Sequence, residues 1–166
     1  MIACLDVHYQ GDAAFAAAVL FDTWTALEST EEKVVHLDYV AAYEPGSFYK
    51  RELPCLLAVL RAAPPVNIVI IDGYVWLDEG KPGLGAHLYE ALGHKVPIVG
   101  VAKTGFKGSV HACPVLRGSS KRPLYVTSAG MNVDQAADAV RGMHGEHRMP
   151  TLLLLADQLS RRVQVE

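Results

Sequence analysis

The sequence predicts an α/β fold: a mixed sheet of three antiparallel leading strands and then parallel strands, with helices on both faces. Three observations carry this. Two apolar runs joined by Gln10-Gly11-Asp12 open the chain, and the turn triplet between them is a hairpin signal. A third strand-like run follows at Lys33–Ala42. From Arg51 onward, helical periodicity alternates with short β-branched runs, the order that builds a sheet with helices packed on it.

Taken in order, Ile2–Tyr9 and Ala13–Phe21 read as strands, and Val34, Val35, Leu37, Tyr39 and Val40 support a third over 33–42. Cys55, Leu56, Val59 and Ala63 recur at helical spacing, which predicts a helix over 51–63. Pro54 fits only its first turn, so the helix is expected to start near Arg51, and Pro64-Pro65 ends it. Val66–Ile71 and Pro97–Val101 are continuous apolar runs, the mark of strands covered on both faces. Leu84, Leu88, Ala91 and Leu92 give a helix between them. Val110–Leu116 and Pro123–Thr127 read as a hairpin across Arg117-Gly118-Ser119-Ser120. Asn132 with Gln135 three residues on is an N-cap signature, and a last helix covers about Thr151–Arg162.

The bulk numbers exclude several classes. At 166 residues the expectation is one domain. With 51% hydrophobic residues the chain is not intrinsically disordered. Cys4, Cys55 and Cys113 form no CxxC pair and are odd in number, against a zinc ribbon or a disulfide framework. No signal-like basic start and no span-length apolar run are present, so a cytoplasmic protein without a membrane anchor is expected.

The net charge is only −3, but it is unevenly placed. Residues 91–133 contain no Asp or Glu and carry Lys95, Lys103, Lys107, Arg117, Lys121 and Arg122. Such a segment suits phosphate groups.

Three acids interrupt apolar patterns. Asp6 shares a strand face with Ile2, Cys4 and His8. Glu52 leads the apolar stripe of its helix, and Asp72 ends the run 66–71, at the carboxyl edge where α/β sheets bind ligands. A lone buried carboxylate is costly unless paired, hydrogen-bonded or on a metal. Three that converge would suit Mg²⁺ or Mn²⁺, which prefer oxygen donors and assist phosphodiester cleavage.

At these residues the chain resembles the endonuclease V family. The resemblance rests on Leu5-Asp6-Val7-His8-Tyr9, Tyr43-Glu44-Pro45-Gly46 with Tyr49-Lys50-Arg51-Glu52-Leu53-Pro54, and Ile71-Asp72-Gly73 with Gly83-Leu84-Gly85-Ala86-His87. Gly100-Val101-Ala102-Lys103-Thr104 and Arg148-Met149-Pro150 with Leu155-Ala156-Asp157-Gln158-Leu159 complete it. It implies a ribonuclease H-like fold and Mg²⁺-dependent (or Mn²⁺-dependent) cleavage of DNA or RNA near a deaminated base, deoxyinosine or inosine, in DNA repair. Carried over, Asp6, Glu52 and Asp72 hold the metal and Lys103 supports the phosphate or the transition state. Tyr43, Glu44, Pro45 and Gly46 form a strand-separating wedge. Gly73 is expected to touch the nucleic acid together with Lys103, Lys107, Arg117, Lys121 and Arg122. The family's Gly-His, which supplies a fourth active-site group, reads Gly130-Met131 here. His8 and Asp134 are candidate substitutes. Two rival readings stay open: a nucleic-acid-binding relative with weakened catalysis, and a nuclease for other DNA or RNA structures.

Overall fold

The computed structural model describes all residues except Tyr43, Gly46, Glu79, Lys107, Val110 and 163–166. Strands β1 (Ile2–Gln10) and β2 (Ala13–Phe21) form the predicted hairpin, with Gly11 at φ +62° in its turn. Next come β3 (Glu31–Leu37), α1 (Tyr49–Ala62), β4 (Ile68–Asp72) and the short pair β5 (Trp76–Asp78) and β6 (Lys81–Pro82). Then follow α2 (Leu84–Ala91), β7 (Ile98–Ala102), β8 (Cys113–Val115), β9 (Leu124–Ala129), α3 (Val133–Arg141) and α4 (Thr151–Arg162).

Seven strands make one sheet in the order β3-β2-β1-β4-β7-β9-β8. β1, β4 and β7 run parallel, while β2 and β3 on one side and β9 and β8 on the other are antiparallel. Alternation along the strands separates two cores. Ile2, Cys4, Ile70, Val99 and Val101 face α3 and α4. Ala3, Leu5, Val69, Ile71 and Ile98 face α1 and α2. In β2, Ala14, Ala16, Ala17 and Ala18 are fully buried, and these small side chains let helices lie close on either face. Asn132 caps α3 as expected, accepting from the N–H groups of Asp134 and Gln135.

Two sequence expectations are corrected. The third strand ends at Leu37, not Ala42, because Leu37 pairs with Ala14 and beyond that point β2 gives way to its turn. Val40 still docks, its N–H bonding Asp12 O at 2.8 Å, while Tyr39 is exposed. Helix α1 starts at Tyr49, two residues before Arg51, so Pro54 lies beyond its first turn. The entry is tight: Lys50 N donates to Ser47 O at 3.0 Å and Arg51 N to Phe48 O at 3.2 Å. Pro54 and Lys50 are both exposed, so the Lys50 carbonyl deprived of a partner can meet solvent.

Candidate active site

The site is built by register. Leu5 of β1 pairs with Ile71 of β4, so the next residues, Asp6 and Asp72, stand side by side on neighbouring parallel strands. Alternation puts both on the face of Cys4 and Ile70, toward α4. β4 stops at Asp72 while β1 continues to Gln10, which opens a ledge at the carboxyl edge of the sheet. Asp72 pairs with Val101 of β7, and Lys103 follows two residues later on the same face. Its Nζ lies 3.7 Å from Asp72 Oδ2. A small cleft of about 20 Å³ is lined by Asp6, Asp72, Lys103 and Asp157 of α4, with Cys4, Val101, Met149 and Leu153 among its apolar walls. Glu52 reaches the edge from the opposite side of the sheet, on α1, and is only 7% exposed.

Glycine geometry keeps this edge compact. At Gly73, φ is +132°, and the chain turns back over the sheet there. A Cβ at Gly100 would stand 2.5 Å from Gly73 O and 2.8 Å from Thr127 Oγ1, so the turn lies flat only over glycine. Thr127 is fully buried and accepts from Val75 N at 2.8 Å. Tyr74 Oη donates to Thr104 O at 2.7 Å, tying the loop after β4 to the loop after β7. Trp76, whose Nε1 donates to Ser128 O, anchors the same loop to β9.

The carboxylates repel one another in a poorly solvated place. Burial, then Asp6 and Asp72, push Glu52 up to about 8, with Arg51 opposing. Burial and Asp72 likewise raise Asp6, which lines the cleft with Asp157. Burial pushes Asp157 up as well, but the hydrogen bond from Arg161 and the charges of Arg161 and Lys103 hold it below the usual carboxylate range. This donor set fits a divalent cation: it is all carboxylate oxygen, and a cation would relieve the repulsion that now favours protons. Among the described residues, no three His, Cys, Asp or Glu side chains already stand close enough to cage an ion.

The remaining predicted residues separate into groups. Glu44 and Pro45 are exposed before α1, with Glu44 Oε2 3.2 Å from Lys50 Nζ, while Tyr43 and Gly46 lie outside the described residues, as does Lys107. Lys121 and Arg122 are exposed just before β9, whose Tyr125 pairs with Ala102, so they flank Lys103. Arg117 is a correction. It is 5% exposed, and its guanidinium donates to the carbonyls of Met143, Gly145, His147 and Arg148 at 2.5–3.2 Å. It folds the loop before α4 and is not free to meet a phosphate. Sequence spacing could not show this, because the carbonyls lie on a distant loop.

Three residues were given no role from the sequence, although Arg148 and Asp157 lie in the motifs quoted above. Asp157 sits beside the buried stripe Leu153, Ala156 and Ser160 of α4, the same signal that marked Glu52. Arg161 is its partner one turn on, with Nε 2.9 Å from Asp157 Oδ1. Arg148 bonds the carbonyls of Lys103, Arg122 and Pro123, and so clamps together the loops that carry the exposed cations.

The Endonuclease V family profile matches residues 1–122. The chain belongs to the endonuclease V family. A relative of that name from Streptomyces avermitilis is 30% identical over 185 aligned residues, covering 98% of this chain and 80% of its own length. The crystal structure of the Streptomyces avermitilis endonuclease V shares 27% identity, covers 97% of this chain and 79% of that one, and has a TM-score of 0.78. A Ciona intestinalis endonuclease V, 18% identical over 97% of this chain and 84% of that one, shares the fold at a TM-score of 0.81. That protein was crystallised with a 24mer DNA containing an inosine followed by a ribo-adenosine. The mixed sheet is thus the ribonuclease H-like fold of endonuclease V, and membership makes the chain an endonuclease V-like nuclease.

In this endonuclease V-like chain Met131 does not lie at the edge that carries Asp6 and Asp72. β9 runs antiparallel to β7, and its last residue, Ala129, pairs with Ile98, at the end of the sheet opposite Asp72. Met131 and Asp134 line a separate cleft there with Trp76 and Cys113. The fourth carboxylate at the active edge is Asp157. His8, two residues beyond Asp6 on β1, forms no side-chain hydrogen bond among the described residues.

Proposed function

We propose that this chain is a metal-dependent endonuclease that hydrolyses a phosphodiester bond beside a deaminated base in DNA or RNA, using Mg²⁺ or Mn²⁺ held by Asp6, Glu52 and Asp72. One observation carries the reading: acids from two adjacent parallel strands and from helices on opposite faces of the sheet meet at one edge, with Lys103 beside them. Asp157 joins the set as a fourth carboxylate. A divalent cation bound there would polarise the phosphodiester and make attacking water more acidic.

The chain's own groups do the rest. Asp6 and Asp72 are spaced by neighbouring strands, so the backbone ladder, not a flexible loop, sets their separation. Lys103 is half exposed beside Asp72, placed to offset charge on the scissile phosphate as it becomes crowded with negative oxygens. Glu52, itself on α1, is buried, so water is excluded from that side of the edge. Lys121 and Arg122 extend the positive surface away from the carboxylates and would track the strand's phosphates. Glu44 and Pro45 before α1, and Gly73 after β4, would contact the strand from other loops. The Ciona complex with inosine-containing DNA supports a deaminated base as the target.

The test is cleavage of end-labelled inosine-containing and matched control DNA and RNA strands with Mg²⁺ or Mn²⁺. Cleavage one or two bonds from inosine, abolished in Asp6→Ala and Asp72→Ala, is the expected result. Binding without cleavage of any substrate would overturn it in favour of a binding-only relative.

A further inference from the structure

Arg161 stands on α4 one turn beyond Asp157, and its Nε donates to Asp157 Oδ1 at 2.9 Å. An Asp–Arg pair at this spacing on an exposed helix face is common and contributes little. Here the acid is not a solvent acid. The Asp157 side chain is 29% exposed and lines the cleft with Asp6 and Asp72. A guanidinium bonded to one oxygen of such a carboxylate sets the plane in which the other oxygen points, as outer partners of metal-binding carboxylates do.

The second observation concerns charge. Four acids meet at this edge, so an approaching strand of phosphates is repelled unless cations flank them. Lys103 supplies one on the β7 side. On the α4 side stands Arg161, with a side chain 60% exposed. No other side-chain hydrogen bond of Arg161 forms among the described residues, which leaves the rest of its fork of N–H groups turned outward.

We propose that Arg161 is a positioning residue for Asp157 and also the phosphate contact on the α4 side of the cleft, opposite Lys103, an inference that rests on the metal-dependent nuclease reading above. Arg161 thus joins the carboxylate cluster to the nucleic acid through one side chain. Lysine could keep the charge but not the directed Nε bond.

The experiment uses the full chain as wild type, Arg161→Ala and Arg161→Lys, with folding checked by circular dichroism. Affinity for an inosine-containing DNA strand is measured in EDTA across a salt series, and Mn²⁺ affinity by calorimetry without DNA. Arg161→Ala should weaken strand binding roughly three- to tenfold near 0.1 M salt and lower the log–log salt slope by about one. It should weaken Mn²⁺ binding about tenfold. Arg161→Lys should restore the salt slope but not the Mn²⁺ affinity. Unchanged strand and Mn²⁺ binding in Arg161→Ala would overturn the proposal, and wild-type Mn²⁺ affinity in Arg161→Lys would overturn the positioning role. Should Arg161→Ala not fold, Arg161→Gln decides the same two quantities. Failure of the nuclease reading is seen separately, as a wild type that cleaves nothing while these binding measurements still read out.

Discussion

Asp6 on β1 and Asp157 on α4 line one cleft at the carboxyl edge of the sheet. The two are near opposite ends of the chain. One is raised by burial and Asp72, and the other is held down by Arg161. A metal bound at this edge would face both carboxylates, so both residues should be needed for turnover.

Asp157→Asn keeps the shape of the side chain and removes its charge. Cleavage under single-turnover conditions should fall by about 100-fold or more, with the circular dichroism spectrum and melting temperature kept or raised. Wild-type rates in this variant would remove Asp157 from the site.

Stability of the metal-free protein should fall as pH rises. Glu52 is raised from its ordinary 4.5 to about 8, so between those values the folded state holds a proton that the unfolded state has released. Its contribution is therefore fully present below about pH 4.5 and is lost as pH climbs through about 8. Urea unfolding in EDTA should show lower stability near pH 9 than near pH 6, and Glu52→Gln should flatten the difference. Added Mn²⁺ should restore the stability lost at the higher pH.

Arg117 and the pair Lys121 and Arg122 should behave oppositely. Arg117→Met strips the loop carbonyls of Met143, Gly145, His147 and Arg148 of their donor, and should cost roughly 2–4 kcal/mol in chemical unfolding. Lys121→Ala with Arg122→Ala should leave stability nearly unchanged, while lowering the salt slope of strand binding by about two.

Gly100→Ala tests the flat turn at Gly73. The added methyl meets Gly73 O and Thr127 Oγ1, and the backbone beside Asp72 must shift. Destabilisation of roughly 1–3 kcal/mol is expected, together with reduced cleavage. Full activity in a well-folded Gly100→Ala protein would show that the register of this edge is not what places Asp72.

Much of this molecule is legible in one dimension. The continuous apolar runs that became β4 and β7, the turn triplet at Gln10-Gly11-Asp12 and the Asn132 cap are local features, decided by side-chain alternation and capping chemistry within a few residues. Asp6, Glu52 and Asp72 stood out because an acid inside an apolar pattern needs a reason, and that reason is readable without coordinates. The end of β3 was not, because it depends on where β2 runs out of residues to pair. Nor was the start of α1, where a tight entry turn and solvent exposure tolerate Pro54 beyond the first turn.

What only the tertiary structure decided is which charges are available and which are used up. Arg117 and Lys121 look alike in a basic segment, yet one is buried among carbonyls and the other is exposed. Met131 looked like a missing active-site group until the antiparallel course of β9 carried it to the far end of the sheet. Asp157 gained its place because α4 packs across β1 and sets it against Asp6. Sequence determines the local pattern, since burial and hydrogen bonding act over a few residues. The partners of a charge are set by packing between segments distant in the chain, and that appears only when the chain is folded.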